Sequence, residues 1–224
     1  MKRITVLLAE DHQIVREGFR SLLEHERDIE VVGEAENGRQ AVQLTRKLRP
    51  AVVVMDIAMP LLNGLEATRQ IRKDFPDTRV LLLSAHSDDA YVEQAALLGA
   101  AGFLLKQTSS QHLARAIREV QKGKTFFSSA ISKRVRDRSR KSVARGGTPK
   151  SSNRLSSREV EVLQLIAEGK PNKQVAAELG VSFKTVDKHR QHLMSKLDIH
   201  DVAGLTRYAI TEGIIESNVR VTIT

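Results

Sequence analysis

The sequence predicts two folds in series: an α/β domain on a doubly wound five-stranded parallel sheet, then an all-α domain of four helices. Three observations predict it. Short β-branched apolar runs alternate with helical patterns over residues 1–121. A basic stretch, 122–153, then interrupts the alternation, with at most a turn of helix at Ile131 and Val135. From residue 154 onward the periodicity is helical throughout.

The strands are expected at Ile4–Ala9, Ile29–Gly33, Val52–Met55, Val80–Leu83 and Gly102–Leu105. Near-continuous apolar runs of this length suit strands buried on both faces. Helical patterns lie between them: Ile14/Phe19/Leu22/Leu23, Ala41/Leu44/Leu48, Leu65/Ile71, Val92/Ala95/Ala96 and Leu113/Ala116/Ile117/Val120. Breakers fall at the joints, including Asn37-Gly38, Pro50, Pro60, Asn63-Gly64, Pro76 and Gly99. Five βα units favour the flavodoxin-like strand order 2-1-3-4-5. Phe126 and Phe127 still look like core.

In the second domain, Ser156 and Glu159 have the capping-box spacing, followed by an apolar stripe of Val160, Leu163, Ile166 and Ala167. Pro171 suits the first position of the next helix, which carries Val175, Ala176 and Leu179. Gly180 turns the chain and Ser182 caps a third helix with Val186, Leu193 and Leu197 on one face. Val202, Leu205, Ala209 and Ile210 mark a fourth. Two short helices joined by a tight glycine turn describe a helix-turn-helix.

Composition narrows the function. Without cysteine, disulfides, thiolate metal sites and thiol nucleophiles are excluded. No apolar run approaches a bilayer span, and MKRITVLLAED lacks a signal-peptide cleavage site, so a cytoplasmic protein is expected, with no membrane partner. The net charge of +9 is concentrated: residues 122–154 hold 11 basic residues and one acidic, while the flanking segments are near neutral. Such a block either meets a polyanion or is a solvated linker.

The strand ends carry the chemistry. In an open parallel sheet, ligands bind beyond the carboxyl ends of the strands. Glu10 and Asp11, Asp56, Ser84 and Lys106 stand there. Taken singly, Asp11 reads equally as a helix cap and Lys106 as an exposed lysine. Together, three carboxylates repel unless a cation joins them, and hard oxygens suit Mg²⁺. Asp56, ending a central strand, is the candidate nucleophile toward phosphorus; Glu10 and Asp11 are metal ligands. Lys106 pairs with the bound phosphoryl group and Ser84 donates to it.

This constellation resembles the receiver domain of two-component response regulators over residues 3–121, through LLAEDH, VVVMDIAMP, LNG, LLLSA and GAAGFLLK. The resemblance implies phosphotransfer from a sensor histidine kinase to Asp56, and Mg²⁺ held by Glu10, Asp11, Asp56 and the backbone carbonyl of Ala58. It implies a switch through Ser84 and Phe103, slow hydrolysis of the aspartyl phosphate, and no dedicated enzymatic activity. Gln107 follows the lysine where many receivers have proline, and the switch aromatic is Phe rather than Tyr. Ala58 and His86 flank the phosphorylation site.

On the third helix of the second domain, Lys184, Lys188, Gln191 and Ser195 lie opposite the apolar face, as residues that enter a major groove would. Asn172 and Lys173 are placed to reach phosphates, Thr185 lies beside Lys184, and Arg190 reads equally as a phosphate contact or a stem over the core. His189 and His192 read as packing or surface residues. The run from Leu155 to Leu197 looks like the LuxR-type helix-turn-helix, so the whole chain is similar to NarL/FixJ-family response regulators. The resemblance implies double-stranded DNA as partner, a homodimer when phosphorylated, pairing through Val202, Leu205 and Ala209, and admits RNA polymerase as a further partner. Asp187 departs from a frequent lysine of that family. A flavin or nucleotide binder would need a Gly/Ser/Thr-rich loop where AEDH stands. A transcription factor that uses its first domain only to dimerise is the other alternative.

Overall fold

The computed structural model describes residues 3–85, 89–108, 110–127, 133 and 155–215. The expected turn at Ile131 and Val135, most of the basic stretch, and His86 lie outside the described residues. The chain divides into two compact units, Met1–Ser151 and Ser152–Thr224.

The first unit holds five parallel strands in the order β2-β1-β3-β4-β5. They are β1 Ile4–Ala9, β2 Ile29–Ala35, β3 Val52–Asp56, β4 Arg79–Ser84 and β5 Gly102–Leu105. The helices are α1 Gln13–Glu24, α2 Gly38–Leu48, α3 Gly64–Asp74, α4 Asp89–Leu97 and α5 Ser110–Gln121. Alternation along the strands feeds two cores. Val6, Leu8, Val52, Val54, Leu81 and Leu83 meet Phe19 and Leu23 of α1 and Leu113 and Ile117 of α5. Leu7, Ala9, Val53, Met55 and Leu82 meet Ala41, Leu65, Ile71 and Ala95 of α2, α3 and α4. Both faces are therefore covered, as the apolar strand composition requires.

Two details differ from the sequence expectation, and a third extends it. β2 runs to Ala35, because a register shift after Val6 keeps it paired and Arg16 and Arg20 neutralise Glu34. On α1 the buried residues are Arg16, Phe19 and Leu23, whereas Ile14 is 85% exposed and Leu22 40%; of the expected stripe Ile14 and Leu22 turn outward, and Arg16 turns inward. Beyond α5, Phe126 pairs with the edge strand: its N–H donates to Ala101 O and its carbonyl accepts from Phe103 N.

The second unit comprises α6 Ser157–Ala167, α7 Asn172–Leu179, α8 Phe183–Leu197 and α9 Val202–Thr211. The capping box forms in full, with Ser156 accepting from Glu159 N and Glu159 accepting from Ser156 N at 2.7 Å. Pro171 sits one place earlier than expected, as the extended residue preceding α7. α6 packs against the other three helices, so Val162 and Leu165 are buried along with Leu163 and Ile166, and the expected stripe is too narrow. Glu159, buried there, is neutralised by Lys196 of α8 at 2.8 Å. Gly180 ends α7 at φ 62°, a left-handed turn that favours glycine.

Candidate functional site: an acidic strand-end rim and an exposed helix face

The rim is assembled by the backbone. Glu10 leaves β1 with its N–H donating to Ala35 O at 3.0 Å, and Asp56 ends the fully buried β3. The loop after β3 is folded under Asp56: Gly64 N donates to Ile57 O at 2.8 Å, and a Cβ on Gly64 would lie 2.0 Å from the Asp56 carbonyl oxygen. Only glycine fits there. Lys106 follows β5 with its N–H on Ser84 O at 2.8 Å, which brings the ends of β4 and β5 together.

Glu10 and Asp56 are buried at 2% and 1% exposure, and Asp11 is half-buried. Lys106 Nζ lies 2.9 Å from both Glu10 Oε2 and Asp56 Oδ2, so one ammonium spans two carboxylates. It donates a well-aligned hydrogen bond to Glu10 Oε1 at 3.0 Å. Glu10 Oε2, Asp56 Oδ2 and Asp11 Oδ1 are buried, and the first two meet the ammonium as an ion pair. His12 closes the outer side, 3.2 Å from Glu10 Oε1 and 3.0 Å from Asp11 Oδ1.

The electrostatics follow. Burial first, then the Glu10 charge, push the Asp56 carboxyl up to about 6, against the pull of Lys106. Burial opposes the Lys106 charge, but Asp56 and Glu10 outweigh it and hold the ammonium above the ordinary lysine value. Asp11 chiefly raises His12. A single ammonium cannot neutralise three carboxylates. Three buried carboxylate oxygens gathered at one rim, in a hard-oxygen set, are what a divalent cation would satisfy. Glu10, Asp11 and His12 also bring their ligand atoms within 4.8 Å of one another.

The second unit presents a different surface. Lys184, Lys188, Gln191 and Ser195 are all exposed along α8, and Lys173 is exposed at the start of α7. Lys184, Thr185, Lys188, His189 and His192 line one open depression. Arg190 donates to Asn172 Oδ1 at 3.1 Å, tying α8 to the start of α7. Thr185 shares a hydroxyl contact of 2.9 Å with the capping Ser182, and Gln191 donates to Asp187.

Residues 6–118 match the response regulator receiver domain, and residues 153–209 match the bacterial regulatory proteins of the luxR family. The chain belongs to the NarL/FixJ-type response regulators. The transcriptional regulatory protein LiaR of Bacillus subtilis is 40% identical over 206 residues, covering 92% of this chain and 96% of LiaR. MctR of Rhizobium johnstonii is 37% identical over 213 residues, covering 95% and 96%. Among solved structures, RcsB of Salmonella enterica serovar Typhimurium, bound to promoter rprA with phosphomimetic BeF3-, is 28% identical with a TM-score of 0.58, covering 92% of this chain and 98% of that one. This response regulator therefore joins a receiver to a LuxR-type DNA-binding domain and regulates transcription.

Within the regulator, the expected site residues divide by what the fold does with them. Glu10, Asp56 and Lys106 come into direct contact, with Asp11 beside Glu10 and Ser84 joined to Lys106 through the backbone. Ala58 lies half-buried in the loop after β3, and Phe103 is half-buried on β5 against the core. The fourth-helix residues need correction. Leu205 and Ala209 have no accessible surface and fill the domain's own core; of the three, only Val202 is exposed, at 43%. Two participants were missed. His12 closes the rim, and the signal was its place directly after the acidic pair. Arg16 is buried and donates to the Glu10 carbonyl oxygen at 2.7 Å; nothing local in sequence marks it. No described helix is long and apolar enough to cross a membrane.

Proposed function

We propose that this response regulator is switched by phosphorylation of Asp56. An Asp56 oxygen attacks the phosphorus carried by a sensor kinase's histidine; the O–P bond forms as the N–P bond breaks, leaving an acyl phosphate. The observation that carries the reading is the rim itself: Asp56 and Glu10 share one lysine, and Asp11 brings a third carboxylate beside them with its Oδ1 buried. Glu10, Asp11, Asp56 and the Ala58 carbonyl are the groups that would hold Mg²⁺, which when bound supplies charge neutralisation at the phosphoryl oxygens. Lys106 is positioned to turn from Glu10 to the phosphoryl group, with Ser84 donating to it and Phe103 following. Water later hydrolyses the acyl phosphate slowly.

The phosphorylated receiver favours a homodimer, which places two copies of α8 on paired half-sites of duplex DNA. Lys184, Lys188, Gln191 and Ser195 face the groove; Lys173, Thr185 and the Arg190–Asn172 pair serve phosphates. Val202 supplies exposed apolar surface for pairing, with Leu205 and Ala209 supporting it from inside. That RcsB is solved on a promoter with a phosphomimetic supports this reading. The basic stretch adds nonspecific attraction, so neutralising Arg134, Arg136, Arg138 and Arg140 flattens the salt dependence of DNA binding; an unchanged slope removes that part. The test of the whole is to compare wild type and Asp56→Asn with acetyl phosphate and Mg²⁺. Phosphorylation-dependent dimerisation and tighter DNA binding are expected in wild type only, and equal behaviour of the two contradicts the proposal.

A further inference from the structure

We infer that Arg16 is a positioning residue for the acidic rim, fixing the Glu10 peptide and through it the carboxylates that hold the cation. The inference rests on the metal-dependent reading above and names a residue which that reading does not use.

Arg16 occupies the inward face of α1 in line with Phe19 and Leu23, where an apolar side chain would pack at no electrostatic cost. It is instead a guanidinium at 7% exposure with all its work directed at one place. Nη1 donates to the Glu10 carbonyl oxygen at 2.7 Å, Nε to Glu34 Oε2 at 3.0 Å and Nη2 to Glu36 Oε1 at 3.3 Å. The N–H of Glu10 is held separately by Ala35 O. Both peptide groups flanking the Glu10 α-carbon are therefore tied to the end of β2 or to the arginine that grips it. The Glu10 side chain, bonded to His12 N and Lys106 Nζ, projects from that fixed peptide.

A buried charge of this kind is poor evidence for stability, since an apolar side chain of similar volume often serves as well. What an apolar side chain cannot do is donate three ways in one plane, and a lysine offers a point charge without the fork. Groups that orient metal ligands from behind typically change metal affinity by about 10–100-fold when removed.

The experiment uses the full chain: wild type, Arg16→Met, Arg16→Lys and, as a control, Arg118→Met. Arg118 holds Glu26 and Asp28 in an ion cluster of comparable size built around α5 and the α1–β2 turn. Mg²⁺ affinity is measured by calorimetric titration, alongside thermal melting and the Mg²⁺ dependence of phosphorylation by acetyl phosphate. We expect Arg16→Met to weaken Mg²⁺ about 10-fold or more, chiefly raising the Mg²⁺ concentration for half-maximal rate, with Arg16→Lys recovering part. Arg118→Met should melt earlier and bind Mg²⁺ as wild type does. If Arg16→Met does not fold, Arg16→Lys decides, weakened affinity supporting the inference and wild-type affinity overturning it. A folded Arg16→Met within twofold of wild type overturns the inference alone. A wild type that binds no Mg²⁺ overturns the metal-dependent reading as well.

Discussion

The receiver rim and the α8 face both concentrate charge, and they handle it in opposite ways. At the rim, Glu10 and Asp56 are sealed from water and share one ammonium, so charge is held at an electrostatic cost. On α8, Lys184 and Lys188 are exposed, and solvent screens them until a polyanion replaces it. Buried charge stores free energy that a ligand can release, whereas exposed charge gives reach and salt dependence. The switch proposed for the receiver would use the first kind, and a DNA reader the second.

The sharpest way to break this contrast is Gly64→Ala. A Cβ 2.0 Å from the Asp56 carbonyl oxygen displaces the loop that fixes Asp56, the proposed phosphoacceptor. A backbone clash in a packed site is expected to cost about 3 kcal/mol or more, measured by denaturant titration. Near wild-type stability with intact phosphorylation contradicts the packing argument.

Asp56→Asn tests the stored electrostatic cost. With its carboxyl raised from 3.8 to about 6, the native metal-free state binds a proton more tightly than the unfolded chain. Stability of the metal-free protein therefore falls as pH rises from about 4 to 6, by up to about 3 kcal/mol. Asp56→Asn should remove that slope and be the more stable protein at pH 7, and Mg²⁺ should offset the loss in wild type. A flat profile in metal-free wild type contradicts it.

A pair in the DNA-binding domain, Glu159 buried and Lys196 half-buried, gives the opposite sign. Lys196 leads the effects that hold Glu159 below the ordinary glutamate value of 4.5, against the upward push of burial. Its contribution is present above about 4.5 and lost as pH falls through the lowered native value. Lys196→Met should cost about 1–2 kcal/mol, since Lys196 is partly exposed and screened, and should lessen the acid-side loss, Ser156 still holding Glu159. The smallest effect belongs to the exposed charges. Lys188→Ala should leave stability within about 0.5 kcal/mol, weaken DNA binding similarly across sequences, and lower the salt slope by about 1. An unchanged slope takes Lys188 off the phosphate-contacting surface.

The fold was legible where chemistry is local. The short apolar runs located the five described strands, and the spacing of Ser156 and Glu159 announced the start of α6. The rim carboxylates and Lys106 were legible because strand ends in a parallel sheet share one edge. Arg16 was not, because its partners Glu34 and Glu36 lie 18 and 20 residues away, and only the fold brings them under Glu10. Glu159 is the same case, its lysine lying 37 residues on. The fourth helix misled for another reason. An apolar stripe shows which face is buried but not whether a core or a partner buries it, and Leu205 and Ala209 belong to the core.

The most direct measurement locates the phosphoryl group. Incubating the protein with acetyl phosphate, with Mg²⁺ or with chelator, and mapping acid-labile adducts by mass spectrometry should place a single adduct on Asp56. It should appear only with the cation and be absent from Asp56→Asn. An adduct that persists in Asp56→Asn, or none on Asp56 with any donor, contradicts the account.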